Sequence, residues 1–188
     1  MKRRALFLDR DGVINHDSAY VSRIEDFIFI DGIFELCRTA LSHGYLLIVV
    51  TNQAGIARGY YTEEDFLRLS DWMCRRFEQE RAPIVEVFYC PCHPEHGKGA
   101  YLADSFDRKP NPGMLLRAAE KYAISFAESI MIGDKESDME AARRAGVGTR
   151  ILLLEAAQRD VPGTVATHKV NSLAEAGVLL HGETGRPD

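Results

Sequence analysis

Asp9 and Asp11 stand two residues apart in Asp9-Arg10-Asp11-Gly12, directly after the apolar run Ala5-Leu6-Phe7-Leu8. Side chains alternate along a strand, so both carboxylates should project from one side at its carboxyl end. Two adjacent carboxylates facing a crevice can divide labour: one stays ionised as nucleophile or metal ligand while the other carries a proton. The chemistry suggested is phosphoryl transfer. Two blander readings compete with it. Asp and Gly are common in turns, and a calcium loop also uses alternating acids, but it needs Gly at its sixth position and a helix before it. Here Gly12 is fourth and a strand is expected to precede it.

Two more strand ends and one loop bring polar groups to the same edge. Leu46–Val50 runs into Thr51-Asn52-Gln53, where a hydroxyl and turning backbone amides suit phosphate oxygens. Ile130-Met131-Ile132-Gly133 runs into Asp134-Lys135. Three carboxylates converging without a cation would repel one another, so a divalent metal is implied, and hard oxygen donors favour magnesium. In Arg108-Lys109-Pro110-Asn111-Pro112, Pro110 stiffens the chain, Asn111 suits a helix cap and Pro112 the first helical position. That context places Lys109 beside a helix N-terminus, where anions are favoured.

The elements that must position these groups are legible as a rhythm. Ala5–Leu8, Leu46–Val50, Val85–Tyr89, Ile130–Ile132 and Ile151–Leu154 are short, nearly continuous apolar runs, the pattern of strands buried on both faces. Ile33–His43, Glu63–Glu80, Pro112–Tyr122 and Ser137–Ala145 carry helical spacing, with Thr62 and Asn111 as N-caps and Gly44 and Gly146 as stops. A further strand is expected within Thr164–Val170, a last helix over Ser172–Leu180 and a frayed tail over 182–188. The fold class read from this alternation is α/β, a doubly wound parallel sheet with helices on both faces. Carboxyl ends of such strands are where ligands sit.

At 188 residues and 46% hydrophobic content, the chain suits one domain with one substantial core. A net charge of −5 with both signs interspersed offers no basic field for nucleic acid or an anionic membrane. The apolar stretch after Met1-Lys2-Arg3-Arg4 is too short for a signal peptide, and no run reaches transmembrane length. Four unevenly spread cysteines do not make a disulfide framework. A monomeric cytoplasmic enzyme is expected, with Cys37 and Cys74 as small residues within helices.

In their order and wording, Asp9-Arg10-Asp11-Gly12, Thr51-Asn52-Gln53-Ala54-Gly55-Ile56-Ala57-Arg58-Gly59, Arg108-Lys109-Pro110-Asn111-Pro112-Gly113-Met114 and Gly133-Asp134-Lys135 resemble the haloacid dehalogenase superfamily of phosphatases. More narrowly they resemble the D-glycero-D-manno-heptose 1,7-bisphosphate 7-phosphatases and the related histidinol-phosphate phosphatases, over roughly residues 5 to 155. The resemblance implies that Asp9 is the nucleophile forming an aspartyl-phosphate and Asp11 the acid and base. It implies magnesium held by the Asp9 carboxylate, the Asp11 backbone carbonyl and Asp134. Thr51, Asn52 and Lys109 would bind the transferring phosphoryl group, and Asp17, Ser18, Ala19, Tyr20, Gln53, Ala54, Arg108 and Lys135 would contact substrate. Many relatives close the site with a cap domain, but no room for one lies between these motifs, so a single capless domain over 1–188 is expected. The implied reaction removes the C7 phosphate of a heptose 1,7-bisphosphate, in carbohydrate metabolism that supplies nucleotide-activated heptose for lipopolysaccharide, capsule or surface glycan. Alternatives are a histidinol-phosphate phosphatase or a non-catalytic phosphate-binding protein of the same fold.

One segment departs from the pattern. The heptose phosphatases commonly carry structural zinc on the long loop that here runs from Cys90 to Pro110, through a Cys-x-His and a later Cys-x-Cys pair. This chain has Cys90 and Cys92, then Ser105 and Asp107 where the second pair is expected. Tetrahedral zinc sites rarely use Ser. Cys90 and Cys92 are therefore read as relict ligands, with His93, His96 and Asp107 as the residues through which zinc would have to be held instead. Without metal the loop needs other anchors, and Tyr101, Leu102 and Phe106 are candidates for packing.

Overall fold

The computed structural model describes residues 2–154 and 161–182. Six strands, β1 (Arg4–Leu8), β2 (Tyr45–Asn52), β3 (Glu86–Cys90), β4 (Ile130–Gly133), β5 (Thr149–Leu153) and β6 (His168–Val170), form one sheet in the order β3-β2-β1-β4-β5-β6. Every pairing is parallel. The helices are α1 (Ile33–Ser42), α2 (Ala54–Arg58), α3 (Glu63–Gln79), α4 (Gly113–Tyr122), α5 (Glu136–Ala145) and α6 (Leu173–Gly182).

Alternation along β1 shows how both faces are covered. Leu6 and Leu8 pack with Leu36 of α1, Phe77 of α3 and Leu180 of α6 on one side. Ala5 and Phe7 pack with Leu115 of α4 and Met139 of α5 on the other. Each fully buried Leu or Phe contributes about 1.5–3 kcal/mol relative to exposure, so β1, apolar on both faces, sits at the centre of the sheet. The chain winds outward through β2 and β3, then returns to place β4 on the opposite edge of β1. The order therefore reverses between β1 and β4, and the crevice beyond their carboxyl ends is where such sheets bind ligands.

Several local expectations change. Asn111 does not cap α4: Pro112 holds that position, Gly113 opens the helix, and the Asn111 side chain instead accepts from Arg144 at 3.1 Å. Pro lacks the N–H that a cap position does not use, which lets the helix start one residue later. The strand expected within Thr164–Val170 is His168–Val170, and Thr164 and Val165 before it bond Glu136 instead. α2 follows Thr51-Asn52-Gln53, at residues to which the sequence pattern assigns no element. Leu102 and Phe106 do not pack, being 52% and 61% exposed. Polar contacts hold the long loop instead: Tyr101 donates at 2.9 Å to Glu63, which also accepts from Tyr89 of β3 at 2.5 Å, and Lys98 N donates to Ala57 O at 3.0 Å. Of the expected tail, 183–188 lies outside the described residues, and Gly182 ends α6. Among the described residues, no helix is long and apolar enough to cross a membrane.

Candidate active site

The carboxyl ends of β1, β2 and β4 and the loop before α4 meet at a cleft of about 310 Å³. β1 ends at Leu8, and Asp9 N continues the ladder by donating to Ile132 O at 3.0 Å, which fixes Asp9 at the mouth of the sheet. Asp9 Oδ1 accepts from Arg10 N at 2.7 Å and from Lys109 Nζ at 2.9 Å. Lys109 is 3% exposed and spends all three ammonium donors, on Asp9, on Asp138 Oδ1 at 2.6 Å and on Val50 O at 2.8 Å. Burial opposes its charge, but Asp138 and Asp9 outweigh that and hold its pKa above the ordinary lysine value. Its backbone is clasped by the Asn52 side chain, which donates to Lys109 O and accepts from Lys109 N, both at 3.0 Å. The Lys109–Pro110 peptide is cis.

Asp11 is held differently. Its Oδ1 accepts from Arg10 Nε at 3.2 Å, Arg10 Nη2 at 2.8 Å and Asn15 Nδ2 at 3.0 Å, while Oδ2 accepts from Gln53 Nε2 at 3.1 Å. Arg10 is buried, reaches Val21 O at 2.8 Å and lies over the Phe27 and Phe66 rings. Gly12 follows at φ +89°, and a Cβ there would fall 2.3 Å from Asp134 Oδ2. Only glycine lets the β1 turn come this close to the carboxylate at the end of β4.

Carboxylate oxygens of Asp9, Asp134 and Asp138 lie within 4.8 Å of one another, the one such group of three potential ligands found among the described residues. Asp138 is engaged on both oxygens, Oδ1 in an ion pair with Lys109 and Oδ2 accepting from Lys135 N at 3.0 Å. Asp134 Oδ1 is buried with neither a hydrogen bond nor an ion pair, Lys135 reaching only Oδ2, at 3.4 Å. Burial first, then the Asp9 charge, pushes the Asp134 pKa up to about 7, and burial likewise raises Asp9 against the pull of Lys109. Lys109 pairs with Asp9 and Asp138, and Lys135 lies 3.4 Å from half-buried Asp134 while also pairing with Asp17, so negative charge remains in excess at the cluster. A hard divalent cation would offset it, and an orphaned oxygen on Asp134 beside Asp9 is the donor set magnesium takes.

The expected substrate residues divide. Asp17, Ala19, Tyr20, Asn52, Gln53, Ala54, Lys109 and Lys135 line the cleft. Asp17 pairs with Lys135 at 3.0 Å, and although partial burial opposes its charge, that lysine holds its pKa below the ordinary value. Asp17 Oδ1 also accepts from Ala19 N at 3.1 Å, in a loop where Ala19 and Tyr20 both take positive φ. Strained backbone of this kind persists where surroundings dictate it, and it presents Tyr20 to the rim. Ser18, Thr51 and Arg108 are not part of the lining. Thr51 is buried and accepts from Gln53 Nε2 at 2.9 Å, and Arg108 donates to Cys92 O at 3.2 Å. Cys90 is buried at the end of β3, Asp107 pairs with Arg117 at 2.6 Å, and Asp107 N donates to Ser105 Oγ at 3.2 Å. Residues the sequence reading did not place at the site are Asp138, Arg10, Asn15 and Tyr61. Asp138 was signalled by its spacing, four residues beyond Asp134 across the start of a helix, which returns its side chain to the same edge.

A HAD-hydrolase-like family model matches residues 106–176. The chain is 59% identical over 155 residues to the D-glycero-alpha-D-manno-heptose-1,7-bisphosphate 7-phosphatase of Burkholderia mallei, covering 82% of each chain. It is 50% identical over 153 residues to the corresponding beta-heptose enzyme of Vibrio cholerae, covering 81% of this chain and 82% of that one. Among solved structures, a D,D-heptose 1,7-bisphosphate phosphatase from B. bronchiseptica, complexed with magnesium and phosphate, superposes with a TM-score of 0.81 at 28% identity, over 96% of this chain and 99% of that one. On this identity, and with carboxylates and a buried lysine gathered at the switch point of a parallel sheet, the chain belongs to the heptose 1,7-bisphosphate 7-phosphatase branch of the haloacid dehalogenase-like hydrolases and is a phosphoric monoester hydrolase.

Proposed function

We propose that this protein removes the C7 phosphate of a D-glycero-D-manno-heptose 1,7-bisphosphate, with magnesium and through an aspartyl-phosphate. The observation that carries the mechanism is the unequal treatment of two neighbouring carboxylates. Asp9 Oδ1 is tied to Lys109 and Arg10 N, which aims Oδ2 at the phosphorus. Asp11 has Oδ1 saturated by Arg10 and Asn15, which leaves Oδ2 to handle a proton at the cleft. Asp9 attacks phosphorus, the bond to the sugar oxygen breaks, and that oxygen takes the Asp11 proton. Asp11 then accepts a proton from water as the water attacks the acyl phosphate, releasing phosphate and restoring Asp9. Lys109 offsets charge on the phosphoryl oxygens, and Asn52 keeps it in place. Asp9, the Asp11 carbonyl and Asp134 would hold magnesium, which when bound supplies further neutralisation of the transferring group.

The heptose assignment is supported by the identity to the enzymes above. Its place is the supply of nucleotide-activated heptose for lipopolysaccharide, capsule or surface glycan, in the cytoplasm and as a monomer. The test is phosphate release with magnesium from both heptose bisphosphate anomers and from histidinol phosphate. Wild type should prefer a heptose bisphosphate, and Asp9→Asn should lose at least about a thousandfold in kcat. A preference for histidinol phosphate overturns the substrate, and undiminished release by Asp9→Asn overturns the mechanism.

A further inference from the structure

Gln53 touches Asp11 on the oxygen left free to move a proton, and the orientation of its amide decides what that oxygen meets. Nε2 donates to Asp11 Oδ2 at 3.1 Å and to Thr51 Oγ1 at 2.9 Å, so both amide hydrogens are used. Oε1 accepts from the Tyr61 hydroxyl at 2.6 Å. Gln53 is 1% exposed, so water does not substitute for a lost partner. Turned over, the amide would set Oε1 against Asp11 Oδ2, two acceptors face to face.

Space for Tyr61 is made by a glycine: a Cβ on Gly55 would lie 2.2 Å from the phenol ring. Burial pushes the Tyr61 pKa up to about 12, so the hydroxyl keeps its hydrogen across the working pH range. We propose that Tyr61 is a positioning residue for proton delivery: by donating to Gln53 Oε1 it holds the Gln53 amide so that Nε2 fixes the Asp11 Oδ2 that protonates the leaving sugar oxygen. The inference rests on the reading of Asp11 as that proton donor. Removing the hydroxyl leaves a buried carbonyl without a donor. The amide then turns to find one, and Asp11 Oδ2 loses its only side-chain tether among the described residues.

The role predicts a dependence on the leaving group that a merely structural role would not produce. A sugar or alkyl alkoxide leaves only when protonated, whereas p-nitrophenolate leaves without help. Tyr61→Phe keeps the ring in its slot. It is expected to lower kcat for the preferred sugar phosphate by roughly tenfold with KM within about twofold, while kcat/KM for p-nitrophenyl phosphate stays within about twofold. Gln53→Met should lower kcat for the sugar phosphate at least as far, and adding Tyr61→Phe to it should cost nothing more, because the tyrosine acts through the amide. Parallel losses on both substrates, a rise confined to KM, or additive losses in the double variant overturn the proposal. Asp11→Asn separates this from the reading beneath it. If Asp11→Asn shows the leaving-group split and Tyr61→Phe does not, Tyr61 has no such role; if Asp11→Asn shows no split, the assignment of Asp11 itself fails.

Discussion

Lys109 meets three acceptors with its three ammonium hydrogens, and none of them belongs to a substrate. In the proposed mechanism an arriving phosphoryl oxygen must therefore share or replace one of these contacts, and the most replaceable is Asp9 Oδ1, on the carboxylate proposed to join the phosphoryl group. Asp138 keeps the lysine in register throughout. Asp138→Ala is expected to destabilise the fold by about 3–5 kcal/mol, the range for breaking a buried ion pair by removing one partner, and to lower kcat together with stability; urea unfolding and phosphate release check the two effects. Asp9, Asp11, Lys109 and Asp134 were legible as residues because each follows an apolar run or precedes a helix. Arg10, Asn15 and Tyr61 were not. A buried guanidinium and a buried amide carry no periodic signature, and Tyr61 gains its role from Gly55, which makes room for the ring in three dimensions.

At the scale of elements, the site depends on how closely two strand ends approach. Gly12 takes φ +89°, and its missing Cβ is the space occupied by Asp134. Gly12→Ala is expected to cost about 1–3 kcal/mol in backbone strain alone, and to displace Asp134, so that phosphate release falls far more than the unfolding midpoint does; parallel thermal melts and kinetics compare the two. Strand and helix positions were largely readable because both-face burial writes apolar runs and amphipathic helices write a 3.6-residue period. α2 escaped because five residues are too few to show a period, and its Ala-Gly-Ile-Ala-Arg sequence contains a glycine that usually marks a turn. The anchoring of the long loop escaped for a different reason. Hydrophobic residues were expected to hold it, whereas Glu63 does so by accepting from two tyrosines that lie on different segments.

For the whole molecule, the surplus of negative charge at the strand ends is expected to couple folding to cation binding. Chelation is expected to abolish phosphate release and lower the unfolding midpoint by a few degrees, and added magnesium to restore both, as for any ligand that binds the folded state alone; activity and melting in chelator, before and after repletion, test this. The doubly wound class was legible from the alternation of elements, while the strand order was not, since short apolar runs do not say which neighbour each one takes. That order carries a consequence for synthesis. β1 is synthesised well before its second partner, β4, which lies 124 residues later in the chain. Until Ile130–Gly133 emerges, one edge of this apolar strand has nothing to pair with, and the nascent chain carries an open template for aggregation. Asp134 and Asp138 follow directly on that late strand, so the segment that covers the open edge of β1 also brings the last carboxylates to the site, and a chain stopped before it has neither.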